Sequence, residues 1–409
     1  YWLSDAKNTG DKEYSWGSLV GMMPKIKDLK STFRHIPTSQ REKDTHKTAS
    51  VLLNDKQFSE LTRDQKEDYI SAGHKLSVGQ IRDLWSLPDR VDLINKYCNH
   101  NVNVFLPLDI WKKLPGATKK VIENNFEKRE GIQTLYRVHY LRESKIDGNL
   151  STLGVGAVNG TPDLPEGLEV KGDLDLRVSS VMSLPANLKV EGLILLSKTK
   201  ITELPPGIKC SGISVHQTNI SNIDSNIFWN KADVLLLDVS DSNITELPSD
   251  LQFVRQLRMF KSKIKSLPST LRIDDFNAEI SELNSLPQGF VVGNANLYDC
   301  KDLKELPQNM VVAKDLNISW SSVESLPQGL QVGGDIILSQ NTKITSLPLD
   351  LKLVGKIEIL GGKISEFPFY KDYLKIKRLN KPKQKSQTSM GESLALLKRM
   401  IRESLRDLD

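Results

Sequence analysis

At 409 residues, the chain is long enough for two or three domains, or for one solenoid with attachments. Its 38% apolar and 26% charged composition fits a protein with a real core. No apolar run approaches the length of a bilayer span, which argues against a transmembrane helix. The net charge is +5, but from Lys371 to Asp409 there are 11 Lys or Arg against 5 Asp or Glu, so the basic character belongs to a tail and not to a fold-wide nucleic-acid surface.

The chain opens on Tyr1 without a signal-peptide apolar stretch, so the numbering is expected to start inside a longer product or after processing. Residues 1–50 are polar, hold Trp2 and Trp16, and show no period; they read as an extended arm or irregular cap. Residues 51–130 read as a small helical repeat module. Phe58, Leu84 and Trp111 recur at steps of 26 and 27, each followed nine to twelve residues later by an apolar pair, Tyr69/Ile70, Leu93/Ile94 and Val121/Ile122. Thr62 with Gln65, and Ser77 with Gln80, stand at capping-box spacing. Residues 131–160 are expected to connect this module to the second half of the chain and to supply its N-terminal cap.

From 161 to 370 the chain repeats. Leu-Pro begins at Leu164, Leu184, Leu204, Leu247, Leu267, Leu286, Leu306, Leu326 and Leu347, with Phe-Pro at Phe367. The steps are 20, 20, 43, 20, 19, 20, 20, 21 and 20. The long step hides a degenerate unit around Ile223, giving about eleven units. Each carries a short apolar-x-apolar strand, such as Leu174/Leu176, Ile213/Val215 or Ile336/Leu338. Proline lacks a ladder donor and so belongs at a corner outside the strand. Glycines before the strands (Gly172, Gly192, Gly212, Gly293, Gly333, Gly355) are expected where the backbone turns sharply. A column of hydroxyls (Ser179, Thr199, Thr218, Ser242, Ser262, Ser281, Ser321, Thr342) is expected to bond the backbone of neighbouring coils in place of an asparagine ladder.

These units, of which "LPEGLEVKGDLDLRVSSVMSLP" from Leu164 to Pro185 is typical, resemble the short leucine-rich repeats of bacterial effectors. They resemble more closely the repeat arrays in proteins of large tailed bacteriophages. The resemblance covers about half the chain and implies a solenoid. The ligase branch of the effectors uses a Cys-x-Asp in a separate C-terminal domain. Here Cys300-Lys301-Asp302 lies inside a repeat, and that activity is not expected.

Residues 371–388 read as a basic linker that begins as a last strand. Residues 389–409 read as an amphipathic C-terminal helix with Leu394, Leu397, Ile401, Leu405 and Leu408 on one face, suited to docking on a partner. The segment resembles terminal helices on phage proteins. The basic residues from Lys371 to Lys385 are expected to make no more than weak nucleic-acid contact.

The sequence holds no HExxH, no phosphate-binding loop and no metal-spaced Cys/His cluster, so neither metal nor cofactor is expected. The GxGxxxG from Leu153 to Gly160 runs straight into the first repeat and reads as a junction. Cys98, Cys210 and Cys300 are far apart and odd in number, which fits a reducing compartment: a virion or a host cytoplasm.

The fold expected is α+β: the helical module, a leucine-rich-repeat-like β-solenoid, and a tethered C-terminal helix. The expected role is non-enzymatic, with protein partners and no membrane. The partner-facing strand rows are read as Ile194, Leu196, Leu235, Leu237, Phe260, Tyr298, Ile337 and Leu360. A virion or virion-assembly component is the leading expectation, and an effector binding a host protein through the solenoid is the alternative.

Overall fold

The computed structural model describes residues 52–101, 104–126, 130–152 and 163–380. The expected arm 1–50, the GxGxxxG stretch, and the helix at 389–409 with Leu394, Leu397, Ile401, Leu405 and Leu408 lie outside the described residues. The chain divides into two compact units, Tyr1–His74 and Lys75–Asp409, and the division falls inside the 51–130 stretch.

In the first unit, α1 (Asp55–Ser59) and α2 (Arg63–Ser71) each begin at a capping box. Thr62 and Gln65 form one as expected, and Asn54 and Gln57 form another. Each box satisfies two helix-end amides that would otherwise lack partners. Phe58 is buried with its ring edge-on to Tyr69, centroids 5.5 Å apart, and the Tyr69 hydroxyl accepts the Leu53 amide at 3.2 Å.

The second unit opens with helices α3 (Val78–Trp85), α4 (Arg90–His100), α5 (Leu108–Lys113), α6 (Gly116–Phe126) and α7 (Glu130–Tyr140). The Ser77–Gln80 box starts α3, and both Leu84 and Trp111 are buried. The expected connector and cap at 131–160 is corrected in part: its first third is helix α7, which packs on Leu150–Ser151 as a cap. Apolar Ile132, Leu135, Tyr136, Val138 and Tyr140 are buried there. Tyr140 stacks on Trp111 at 4.0 Å, and its hydroxyl accepts the Leu106 amide at 2.5 Å.

From Lys145 the chain winds into a parallel β-solenoid of about ten turns. One column of inward apolar residues runs through the main sheet. Leu150 pairs with Leu174, Leu174 with Ile194, Ile194 with Ile213, and so on through Phe276 and Leu316 to Ile357. All are buried, because neighbouring coils about 4.8 Å apart cover the face that a single coil cannot.

A second, adjoining strand face is also present. The "LxV" segments pair coil to coil as β3 (Glu169–Val170) with β5 (Lys189–Val190), and as β12 (Val311–Val312) with β14 (Gln331–Val332). In mid-solenoid the two faces merge into single strands such as β9 (Phe253–Arg258), β10 (Arg272–Asn277) and β11 (Val291–Asn296).

The solenoid starts earlier than its first Leu-Pro. β1 (Lys145–Ile146) and β2 (Leu150–Ser151) form a coil whose "KIDGNLS" parallels "EVKGDLD" twenty-four residues on.

The end is corrected as well. The stretch expected as a last strand and basic linker forms helix α8 (Tyr370–Leu379), which packs on β16 (Lys352–Leu353). It buries Phe369 and Ile376, while Lys377 Nζ donates to the Gly355 carbonyl and Asn380 Nδ2 to the Leu351 carbonyl at 3.1 Å. With α7 packed on β2 at the other end, both terminal coils are covered by helices. An uncovered terminal coil would offer unpaired backbone groups to another strand.

The glycines before the strands stand at bends as expected at Gly172, Gly192, Gly333 and Gly355. Their backbone is not left-handed, and most of them sit where the preceding coil leaves no room for a Cβ. A Cβ at Gly172 would lie 2.0 Å from Asn149 Oδ1, and at Gly355 2.3 Å from Asp335 Oδ1. In the coil that holds β14 this position falls on Gly334, not Gly333.

The expectation for the hydroxyls is corrected: they bond mainly within their own coil, although Ser281 Oγ also meets Cys300 Sγ of the next coil at 3.6 Å. Thr218, Ser242 and Ser321 each donate 2.7 Å back to the carbonyl three residues earlier. The hydroxyl of Ser262 accepts the amide two residues on, at 3.2 Å. An Asx ladder exists instead on the outward sheet row: Asp238, Asn277, Asn296 and Asn317 each accept the amide two residues later.

Candidate interaction surface

Along each strand, side chains alternate between the core and the outer face, so register decides what a partner can meet. Three of the expected partner-facing residues are corrected: Ile194, Leu196 and Leu237 point inward and are fully buried. The cause lies in runs such as "VLLLDV", where consecutive apolar residues satisfy either register. Leu235 and Leu360 are exposed, at 37% and 39%, and Phe260, Tyr298 and Ile337 are half-buried.

The outer sheet face is otherwise polar and internally bonded. Arg177 grips Asp175 through two bonds of 2.7 and 2.9 Å. Ser214 donates to Asp238 at 2.9 Å, and Asn317 Nδ2 donates to Asn296 Oδ1 at 3.1 Å. These bonds consume much of the face's hydrogen-bonding capacity.

Part of the exposed apolar surface lies at one edge of this face, where each coil turns away from the strand: Val178, Ile280 and Trp320 are there. The corner residue there is left-handed in nearly every coil: Val178, Lys198, Gln217, Asp241, Lys261, Ile280, Asp299 and Trp320 have φ between +47° and +62°. Glycine or asparagine takes this conformation readily, whereas a β-branched residue is strained in it. Yet Ile280 is 38% exposed and Trp320 39% exposed.

Phe260, Ile280, Tyr298 and Trp320 occupy four successive coils in the outer row and the adjoining corner column. Backbone bonds fix the stacking: Lys261 N to the Glu279 carbonyl at 3.0 Å, Ile280 N to the Tyr298 carbonyl at 2.9 Å, and Asp299 N to the Ser319 carbonyl at 2.9 Å. Lys261 Nζ lies 5.1 Å from the centre of the Phe260 ring. Lys301 pairs with Asp299 and donates to the Trp320 carbonyl at 2.7 Å. The edge therefore sets apolar and aromatic side chains among charged ones, of which Lys261, Lys301 and Asp299 are engaged locally. Ile280 and Trp320 carried no sequence signal, since the corner accepts many residue types.

The three thiols are buried. Burial pushes Cys98 and Cys210 up to about 12 and raises Cys300, so all three stay protonated near neutrality. Cys300 takes the place of a column hydroxyl, donating to the Ala278 carbonyl at 3.0 Å. Among the described residues, no group of three His, Cys, Asp or Glu is placed to hold a metal ion, and no helix is long and apolar enough to cross a membrane. Comparison with protein-family models, curated proteins and solved structures finds no match.

Proposed function

We propose that this chain is a non-enzymatic structural and interaction protein, a leucine-rich-repeat component of the virion, or of virion assembly, of a large tailed phage. It presents the Phe260–Ile280–Tyr298–Trp320 edge to a protein partner and attaches to neighbouring subunits through residues 1–50 and the segment after α8. The observation that carries this reading is the edge itself. A solenoid closed by helices at both ends has no internal use for exposed Ile and Trp side chains at left-handed corners.

The basic tail supports nucleic-acid binding less than its charge implies. Two of its lysines are engaged on or near α8, Lys377 with the Gly355 carbonyl and Lys375 with Asp372. The test is cross-linking mass spectrometry on native material that contains the chain. Links from the first 50 residues and from the lysines after α8 to one recurring partner are expected. Links confined to the chain itself would sink the structural reading and leave a host-directed effector as the alternative.

A further inference from the structure

His139 on α7 is 1% exposed, and both of its ring nitrogens are committed. Nε2 lies 3.0 Å from the Leu106 carbonyl, and Nδ1 lies 2.9 Å from the Asp163 amide nitrogen. An amide can only donate, so Nδ1 is the acceptor and the proton sits on Nε2, facing the carbonyl. The ring thereby ties the loop before α5 to the start of the repeats. Arg142, itself left-handed at φ +58°, adds a second tie by donating to the Asp163 carbonyl at 2.9 Å.

We propose that His139 is a pH-sensitive clasp: it holds Asp163, at the head of the first Leu-Pro unit, to the helices while its ring is neutral, and releases it when the ring is protonated. A protonated ring carries a hydrogen on both nitrogens, so Nδ1–H would face the Asp163 N–H donor to donor, without access to water. The charged and titratable groups facing the ring are the Asp163 carboxylate from the repeat side and Arg142 and Tyr140 from α7 and its end. Among the described residues, the loop before α5 offers the Leu106 carbonyl and the edge-on Phe105 ring.

Asp163 and the Leu106 carbonyl favour the charged ring, while burial and Arg142 oppose it. Burial is the largest effect and pulls His139 below its ordinary 6.5. Because the folded value is lowered, the clasp is at full strength above the ordinary value and weakens as pH falls below it. One proton taken up on opening raises the opening constant by up to about tenfold per pH unit.

The test is amide hydrogen exchange on the full chain between about pH 7.5 and about pH 5, corrected for intrinsic rates. Peptides covering Asp163 and α7 are expected to lose protection by up to about tenfold per pH unit, while those covering β9 and β10 hold theirs. His139→Asn keeps an acceptor near the Nδ1 position and cannot charge, so its profile should be flat. Asp163→Asn keeps the backbone bond but removes a group that favours the charged ring; the onset, set by the opened ring, should stay in place, while the loss of protection should continue to lower pH than in the wild type. A flat wild-type profile overturns the proposal, as does an equal rise in His139→Asn. An Asp163→Asn loss that levels off at a higher pH than in the wild type overturns it too.

Discussion

Gly192 lies directly under Asp173 of the preceding coil: a Cβ on Gly192 would stand 2.2 Å from Asp173 Oδ1 and 2.9 Å from the Gly172 carbonyl oxygen. The carboxylate cannot simply withdraw, because Oδ1 accepts the Leu193 amide at 2.8 Å. The pair is one step of a column in which an Asp or Asn closes the corner of the next coil, as Asn149 does for Asp173 and Asp335 for Lys356. Gly192→Ala should therefore destabilise the chain by about 1–3 kcal/mol, as an overpacked site does. Gly148, with no heavy atom within 4 Å of a built Cβ, is the control. Gly148→Ala should be neutral, or stabilising by about 0.5 kcal/mol, through the unfolded state. Urea midpoints of the two variants decide this; equal midpoints would remove the close-approach account.

The exposed corner at Ile280 predicts a gain in stability on substitution. A left-handed backbone costs a β-branched residue about 1–2 kcal/mol, and asparagine escapes most of that. Ile280→Asn should raise stability by about 1 kcal/mol in chemical unfolding while weakening association with the partner. A loss of stability instead would show that the side chain packs on its own solenoid and that the edge is not free for a partner.

Tyr298 and Trp320 should carry the largest share of partner binding, since aromatic side chains dominate interface energetics. Tyr298→Ala and Trp320→Ala are each expected to weaken association by about 2 kcal/mol, close to thirtyfold, in a quantitative pull-down from native material. Leu349→Ala, at an exposed apolar position away from this edge, should change nothing. Equal losses for all three variants would mean general instability and not a binding edge.

Much of the solenoid was legible because stacking demands a recurring coil length, and the Leu-Pro steps record it. The first coil was not, since "KIDGNLS" keeps the strand chemistry but lacks the Leu-Pro corner. The inward and outward rows are ambiguous wherever apolar residues run together, so the sequence alone puts Ile194, Leu196 and Leu237 on the wrong face. The left-handed corner left no residue signature, because closing the coil imposes the conformation on valine, lysine, aspartate and tryptophan alike. The last helix looked like a strand because "YLKIK" alternates. Covering the end of the core requires instead the face that Phe369 and Ile376 share, seven residues apart.

The hydroxyl column yields a paired prediction. Ser242 donates to the Val239 carbonyl at 2.7 Å and accepts the Ile244 amide at 3.4 Å, so one side chain serves both sides of a buried corner. Removing it strands a buried carbonyl and amide, and Ser242→Ala should cost about 1–3 kcal/mol. Thr199 occupies the same position two coils earlier, but its buried Oγ1 has no partner within the structure. Its hydroxyl has been desolvated without return, so Thr199→Val should be neutral, or stabilising by about 1 kcal/mol. Thermal unfolding of the two variants separates the accounts. If Thr199→Val destabilises as much as Ser242→Ala, the column acts through water or coil-wide geometry and not through the bonds within each corner.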